Sequence, residues 1–159
     1  MTTNINIAGE FQIMAQPVNV KAPVTVSKSI DINASPAKVW SVLTNINKWS
    51  TWQPDIKKAF MTGSLTKGST FEWESGGAKI RSTVHTVQPL RAIGWSGNSM
   101  GIYAIHNWVM TTNGETVTLH VDESMDGFLA KILKGYLNKS LENSLGRWLV
   151  FLKNESEKN

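Results

Sequence analysis

Apolar and polar positions alternate along most of the chain between Val24 and Ser124, and a spacing of three and four residues follows from Gly127 to Lys153. Alternation is typical of strands that bury one face, whereas the second spacing is typical of an amphipathic helix. The chain therefore predicts a sheet followed by one long helix. The predicted strands are Val24–Asn33, Ile56–Thr62, Ser69–Glu74, Lys79–Val87, Ala92–Gly97, Gly101–Thr111 and Thr116–Ser124.

A helical region separates the first strand from the others. Ser35 can accept hydrogen bonds from amides of a first helical turn, and Pro36 suits the first helical position. A second short helix is predicted over Asn45–Trp52, and Pro54 ends it.

Four turn signals predict how the strands pair. They are Gly76-Gly77, Pro89-Leu90, Asn98-Ser99 and Asn113-Gly114, and we assume a loop of two residues at each. Cross-strand partners share a face, so the four hairpins predict one largely apolar face and one solvated face. The apolar face comprises Phe71, Trp73, Ile80, Val84, Ile93, Trp95, Ile102, Ala104, Trp108, Met110, Val117, Leu119 and Val121. The solvated face comprises Glu72, Lys79, Arg81, Thr83, Thr118, His120 and Asp122.

The predicted fold is α+β, with a curved antiparallel sheet of six or seven strands wrapped around the long C-terminal helix. That helix would be roughly 40 Å long, and its leucine-rich stripe would bury against the apolar face. Residues 1–22 lack a strong period, so we expect an N-terminal extension with a short strand at Ile5–Ile7, followed by a single domain over 23–159.

Composition narrows the classes of function. The net charge of +4 is mild and the lysines are scattered, so a nucleic-acid partner is not expected. The absence of cysteine excludes disulfides and thiolate catalysis. The N-terminus lacks the features of a signal peptide, and no apolar run is long enough for stable membrane insertion, so a cytoplasmic protein is expected. We expect a monomer or a homodimer.

Two polar residues, His106 and Glu123, interrupt the apolar face. The assumed register pairs Glu123 with Ala104, diagonally from His106, and places Arg91 opposite His106. A buried carboxylate beside an imidazole could transfer protons, with His106 as the acting group and Glu123 as its orienting partner. The alternative is a structural pair that satisfies itself.

Seven tryptophans suggest either an aromatic-walled pocket or simple core filling. Tyr136 could point into such a pocket or toward the helix end. The candidate ligand-binding residues are Phe71, Trp73, Ser82, Val84, Ile93, Trp95, Ile102, Ala104, Trp108, Arg91 and Tyr136.

No metal and no cofactor are expected. The histidines His85, His106 and His120 show no ligand spacing, and His85 and His120 are predicted to face solvent. No phosphate-binding glycine motif is present in the sequence. Lysines 131, 134 and 139 of the last helix are interpreted as a solvated face, with a membrane-docking edge as the alternative.

Longer stretches carry a family resemblance. The segments are SIDINASPAKVWSVLTNINKWSTWQPDI, with its Trp49-Ser50-Thr51-Trp52 pattern, GWSGNSMGIYAIHNWVM and VDESMDGFLAKIL. They resemble the START-like SRPBCC superfamily, and within it the polyketide cyclase/dehydrase-like branch, over residues 24–155.

The resemblance implies a helix-grip fold with a hydrophobic cavity between the sheet and the last helix. It implies a hydrophobic small-molecule ligand that is lipid-like, polyketide or aromatic. A cyclase, dehydratase or hydrolase that uses His106 and Glu123 is one alternative. A co-chaperone-like module that binds a partner protein is the other.

Overall fold

Seven antiparallel strands form one sheet in the computed structural model, which describes residues 13–159. Their order across the sheet is β1-β7-β6-β5-β4-β3-β2, so the first strand pairs with the last. This arrangement confirms the predicted strands, whereas the strand predicted at Ile5–Ile7 lies outside the described residues. The strands are β1 Val24–Ile32, β2 Ile56–Met61, β3 Thr70–Ser75, β4 Ala78–Gln88, β5 Ala92–Ser99, β6 Ile102–Asn113 and β7 Thr116–Asp126.

Short helices follow β1 as predicted. Helix α1 spans Pro36–Thr44, and the Ser35 hydroxyl caps it by accepting a hydrogen bond of 3.2 Å from the Lys38 amide. A 3-10 turn at Ile46–Lys48 leads directly into α2 at Trp49–Trp52.

The predicted single C-terminal helix is divided in two. Helix α3 spans Phe128–Ile132 and helix α4 spans Lys134–Ser156, with Leu133 between them at φ −96° and ψ 18°. The glycine at position 135, in the first turn of α4, lowers the helix propensity at this point. The prediction of one uninterrupted helix was therefore wrong at Leu133, although the helical pattern around it was read correctly.

The core lies between the inner face of the sheet and the second half of α4. Five side chains of α4 are buried there, and each contributes roughly 1.5–3 kcal/mol if fully removed from water. They are Leu141, Leu145, Trp148, Leu149 and Leu152. The fold is thus the predicted helix-grip arrangement of a sheet around a C-terminal helix.

Two of the four predicted turns give the predicted strand pairing, although one of them has a longer loop than predicted. The Gly76-Gly77 turn pairs Trp73 with Ile80, as predicted. The loop after β4 has three residues instead of two, but a β-bulge between Val84 and Thr86 offsets the extra residue. Val84 therefore still pairs with Trp95.

The other two turns are shifted along the chain. The β5–β6 hairpin turns at Met100-Gly101, where both residues have positive φ, so Trp95 pairs with His106. The β6–β7 hairpin turns after Asn113, so His106 pairs with Glu123. Both shifts are even numbers of residues, and side chains alternate with a period of two, so the predicted inner face is preserved.

The outer face of the sheet is less exposed than predicted, because residues 13–19 lie across it. The Ala15 amide donates to the Thr86 hydroxyl at 2.9 Å, and Asn107 donates to the Gln16 carbonyl at 2.9 Å. Met14 is buried with Ala92 and Val109 of the sheet. We call residues 13–19 the N-terminal strap.

His85, which was predicted to face solvent, is buried on this outer face. His85 does lie on the face opposite His106, but only 6% of it is exposed. Its Nδ1 lies 2.8 Å from the Thr86 hydroxyl, and burial lowers its pKa from 6.5 to about 4. His85 lies at the bulge, and its ring occupies the space beside Gly94 of the neighbouring strand, next to Asn107. Strand alternation alone assigns this position to the surface.

His85 makes the stability of the protein depend on pH. The unfolded chain takes up a proton on this group near pH 6.5, whereas the folded chain does so only near pH 4. Between those values the free energy of unfolding is expected to fall as pH decreases, by up to about 1.4 kcal/mol per pH unit. Urea denaturation at neutral pH and at about pH 5 measures this slope.

The variant His85→Gln is expected to flatten that slope, because it removes the group that titrates. The half-buried His120 lies on the same outer face, so His120→Gln is the matched control. Equal slopes for His85→Gln and the unmodified protein would contradict the assignment.

Candidate functional site

A buried histidine–glutamate pair lies at the centre of the inner face. Strands β6 and β7 place His106 directly opposite Glu123, and His106 Nδ1 lies 2.8 Å from Glu123 Oε2. Both residues are buried. The structure therefore brings together the two residues that the sequence singled out, in direct rather than diagonal pairing.

Two tryptophans hold the imidazole ring in place. The ring stacks on Trp95 at 4.7 Å between centroids with an interplanar angle of 18°, and on Trp108 at 5.4 Å and 28°. Trp95 is the cross-strand neighbour of His106, and Trp108 is two residues along the same strand. Stacking from two sides and the contact with Glu123 leave the ring little rotational freedom.

One nitrogen of the His106 ring makes no hydrogen bond within the described residues. His106 Nε2 is buried, and it has no hydrogen-bond partner among the described residues. An imidazole whose Nδ1 faces a carboxylate presents Nε2 as its free hydrogen-bonding group. The pair therefore leaves one oriented polar atom unpaired in an otherwise apolar interior.

Beyond His106 the inner face is filled by aromatic rings. Trp49 lies at the centre, with ring centroids of Trp148 at 5.1 Å and of Trp95 at 5.5 Å. Phe71 and Trp73 contact Trp49 from the sheet. These tryptophans pack against one another as core, which is the core-filling alternative considered for Trp73, Trp95 and Trp108.

In the opposite direction, toward the β5–β6 hairpin, the inner face becomes accessible. Ile102 and Ala104 of β6, Met125 of β7 and Leu137 of α4 are only half-buried. The first part of α4 leaves this end of the sheet incompletely covered, because its buried side chains begin at Leu141. His106 and Glu123 therefore lie at the boundary between a packed interior and an open apolar end, which we call the open end.

The remaining candidate residues are distributed around this boundary. Ser82 is buried and accepts a hydrogen bond of 3.0 Å from Trp73 Nε1, so its hydroxyl is already used. Val84 and Ile93 are core residues. Tyr136 is exposed on α4.

Arg91 requires a correction. It was placed opposite His106, but Trp95 occupies that position. Arg91 lies in the β4–β5 loop, where its carbonyl accepts from the Met110 amide, and it is exposed. The cause is the shifted β5–β6 turn, which moves every partner of β5 by four residues along β6.

Within residues 13–159, no group of histidine, aspartate and glutamate side chains could hold a metal ion. The carboxylates nearest to histidines instead form separate pairs, Glu123 with His106 and Asp122 with His120. No helix of the same residues is long and apolar enough to cross a membrane.

Comparisons with known proteins agree with this architecture. The family model described as polyketide cyclase / dehydrase and lipid transport matches residues 23–147, from the start of β1 into α4. The chain belongs to this family. The resemblance inferred from the sequence is thereby confirmed. No curated protein sequence matches the chain.

Solved structures share the fold at low sequence identity. A hypothetical protein from Helicobacter pylori has a TM-score of 0.79 and 19% identity, covering 91% of this chain and 96% of its own. The Zhui aromatase/cyclase from a Streptomyces species has a TM-score of 0.73 and 14% identity, covering 84% and 93%. A START superfamily protein from Mycobacterium smegmatis has a TM-score of 0.61 and 17% identity, covering 80% and 98%. At these identities the likeness concerns the fold alone.

Two residues of the aromatic core were not among the candidates. Trp49 lies on α2 and Trp148 on α4, and both contact the sheet tryptophans. The spacing of Trp148 from Leu141 and Leu145 had placed it on the helix stripe that faces the sheet, although not among the ligand-binding candidates. Trp49 lies on a helix of four residues, which is too short for periodicity to predict which way its side chain faces.

Proposed function

We propose that this family member binds a hydrophobic small molecule at the open end of the inner face, next to His106 and Glu123. The observation that carries the proposal is the contrast along β6. Trp108 and His106 are buried, whereas Ala104 and Ile102 on the same face remain half-exposed. Apolar side chains that the described chain covers only in part can bury their remaining surface against a ligand, at about 25 cal/mol per Å².

The chemistry of the site favours a ligand that is mainly apolar and carries an oxygen atom. Ile102, Ala104, Met125 and Leu137 supply apolar contacts, and His106 Nε2 supplies one polar contact. Lipid-like, polyketide and aromatic molecules with a carbonyl or hydroxyl group have this character. The family description and the name of the Zhui aromatase/cyclase point to the same classes of molecule.

Palmitate and the hydroxylated anthraquinone emodin are suitable probes of the two classes. Their binding can be followed through tryptophan fluorescence, because Trp95 and Trp108 flank His106. The variant Ala104→Phe places a ring in the open end and is expected to weaken binding at least about tenfold, equivalent to 1.4 kcal/mol. Thr111→Phe, on the opposite face of the same strand, is the matched control. Unchanged affinity in Ala104→Phe would contradict the proposed location.

We propose a second function, proton transfer, on the strength of the free Nε2 of His106. Glu123 would orient the imidazole, and Nε2 would remove a proton next to a carbonyl group of a bound ligand. Deuterium exchange at the methyl group of acetophenone, measured by NMR, tests this chemistry. His106→Gln is expected to lower any protein-catalysed exchange about 100-fold or more. Exchange that is equal in His106→Gln and the unmodified protein would contradict a catalytic role.

A further inference from the structure

An exposed apolar surface lies where α3 and α4 meet the β5–β6 hairpin. Its most exposed members are Met100, at 76%, Phe128, at 75%, and Tyr136, at 72%. Ile132, Leu133 and Leu129 complete the surface. We call these residues the end patch. So many large apolar side chains in one region of a protein surface mark an interaction site more often than chance exposure.

The two parts of the end patch are in contact. Leu129 lies next to Gly101, and Gly127 lies so close to the Gly101 carbonyl oxygen that a side chain at Gly127 would clash with it. The hairpin tip that carries Met100 therefore packs directly against the start of α3. Met100 of the hairpin tip and Phe128 of α3 therefore lie at the same end of the protein.

Met100 has an unfavourable backbone conformation for a large side chain. Its φ is 53°, in the left-handed region, where a residue with a Cβ atom costs about 1–2 kcal/mol relative to glycine. The side chain is also exposed to solvent. Neither the backbone nor packing explains an apolar residue here, which is the kind of departure that points to a function.

The charged residues of α3, and of α4 as far as Leu141, are all lysines. Lys131, Lys134 and Lys139 lie on the same helices, and no acidic residue occurs between Asp126 and Glu142. Within residues 13–159, none of the three lysines forms an ion pair. The two flanking acids have partners of their own, because Asp126 accepts from Asn19 and Glu142 faces Lys28.

We propose that the end patch docks on the surface of a membrane that contains anionic lipids. Phenylalanine, leucine and isoleucine side chains together with tyrosine suit the boundary between headgroups and acyl chains. Lysines can extend their ammonium groups to lipid phosphates, and each contributes about 1 kcal/mol of attraction near such a surface. Since no helix of the described residues could span the bilayer, docking would be peripheral. A protein partner is less favoured, because lysines are depleted at protein interfaces.

Flotation of the full-length protein with vesicles tests the proposal. The protein is expected to float with vesicles of mixed phosphatidylglycerol and phosphatidylcholine and not with pure phosphatidylcholine. Lys131→Gln/Lys134→Gln is expected to weaken partitioning about 30-fold, the equivalent of about 1 kcal/mol for each lysine. Phe128→Ser/Ile132→Ser is expected to weaken it at least about tenfold through lost apolar burial.

Matched controls lie elsewhere on the surface. Lys38→Gln/Lys48→Gln removes two exposed lysines near α1, and Phe60→Ser removes an exposed phenylalanine from the edge strand β2. Both controls are expected to float like the unmodified protein. Equal loss of flotation in the Lys38/Lys48 control would show that binding depends only on the net charge of the protein, and this would overturn the proposal.

Two other outcomes would also overturn it. One is that the unmodified protein fails to bind anionic vesicles even at low ionic strength. The other is a dimer in solution that Phe128→Ser/Ile132→Ser dissociates while flotation is absent, which would assign the end patch to a second copy of the chain. Flotation needs no ligand, so its result is independent of whether palmitate or emodin binds.

Discussion

Replacing Trp49 by alanine is expected to lower the free energy of unfolding by about 3–5 kcal/mol, the range for removing a large buried aromatic side chain. Trp49 is fully buried, and its ring contacts Phe71, Trp73, Trp95 and Trp148. The substitution would leave a void that rings from the sheet and from α4 cannot fill without moving. It would also remove the donor to the Leu43 carbonyl, which Trp49 Nε1 reaches at 3.0 Å.

Urea denaturation followed by far-ultraviolet circular dichroism measures this effect without relying on tryptophan fluorescence. Trp52→Ala is the matched control, because Trp52 is half-buried and packs its ring against Trp148, with centroids 5.7 Å apart. We expect the control to lose less than about 2 kcal/mol. Equal losses in the two variants would show that Trp49 does not join the sheet to the helix as the structure indicates.

Replacing Glu123 by leucine is expected to cost about 3–5 kcal/mol, the range for breaking a buried pair by removing one partner. The loss leaves His106 Nδ1 without the oxygen that lies 2.8 Å away, while Nε2 already has no partner among the described residues. The penalty arises from the stranded imidazole and not from the leucine side chain, which suits an apolar interior.

The double variant His106→Leu/Glu123→Leu separates the penalty of the stranded imidazole from any effect of the leucine side chain. With both polar groups replaced, we expect most of the lost stability to return, since an apolar pair of similar volume is often neutral. Glu142→Leu is the surface control, because Glu142 is exposed at 3.5 Å from Lys28, and its loss should not exceed about 1 kcal/mol. A double variant that is no more stable than Glu123→Leu would contradict the interpretation.

The stability of the double variant bears on function. If the pair existed for stability, replacing it with leucine residues should weaken the protein. If it is retained for ligand chemistry, the double variant should remain stable while binding or proton transfer is lost. The stacked ring and the free Nε2 of His106 favour the second outcome.

The sequence predicted the faces of the sheet better than its register. The β5–β6 turn was placed at Asn98-Ser99 because asparagine favours turns, whereas the chain turns at Met100-Gly101. Gly101 is a turn residue, but Met100 carries no turn preference, so the sequence favoured Asn98-Ser99 instead. Because the error was an even number of residues, His106 still pointed inward, but its partners changed.

Long-range packing accounts for most of the other differences. His85 lies at a bulge and beside Gly94 of the neighbouring strand, and neither feature leaves a local pattern near residue 85. The last helix divides at Leu133, two residues before Gly135, and a single glycine in a helical pattern does not by itself predict a break. Arg91 was misplaced because one shifted turn propagates along a whole strand.

The open end could be predicted only in part. The sequence identified Ile102 and Ala104 as inward-facing, and alternation alone is sufficient for that. Which part of the inner face is packed depends on where Trp49 and Trp148 lie, and that is a tertiary property. The division between the packed interior and the open end therefore emerged only from the structure.

Native mass spectrometry tests the central claim, that the open end holds a hydrophobic small molecule, most directly. The protein would be measured as purified and after incubation with palmitate or emodin, and any released molecule would be identified after denaturation. We predict a one-to-one complex for the unmodified protein and for Thr111→Phe, and its loss in Ala104→Phe. A spectrum that shows only the free chain under all of these conditions would contradict the account.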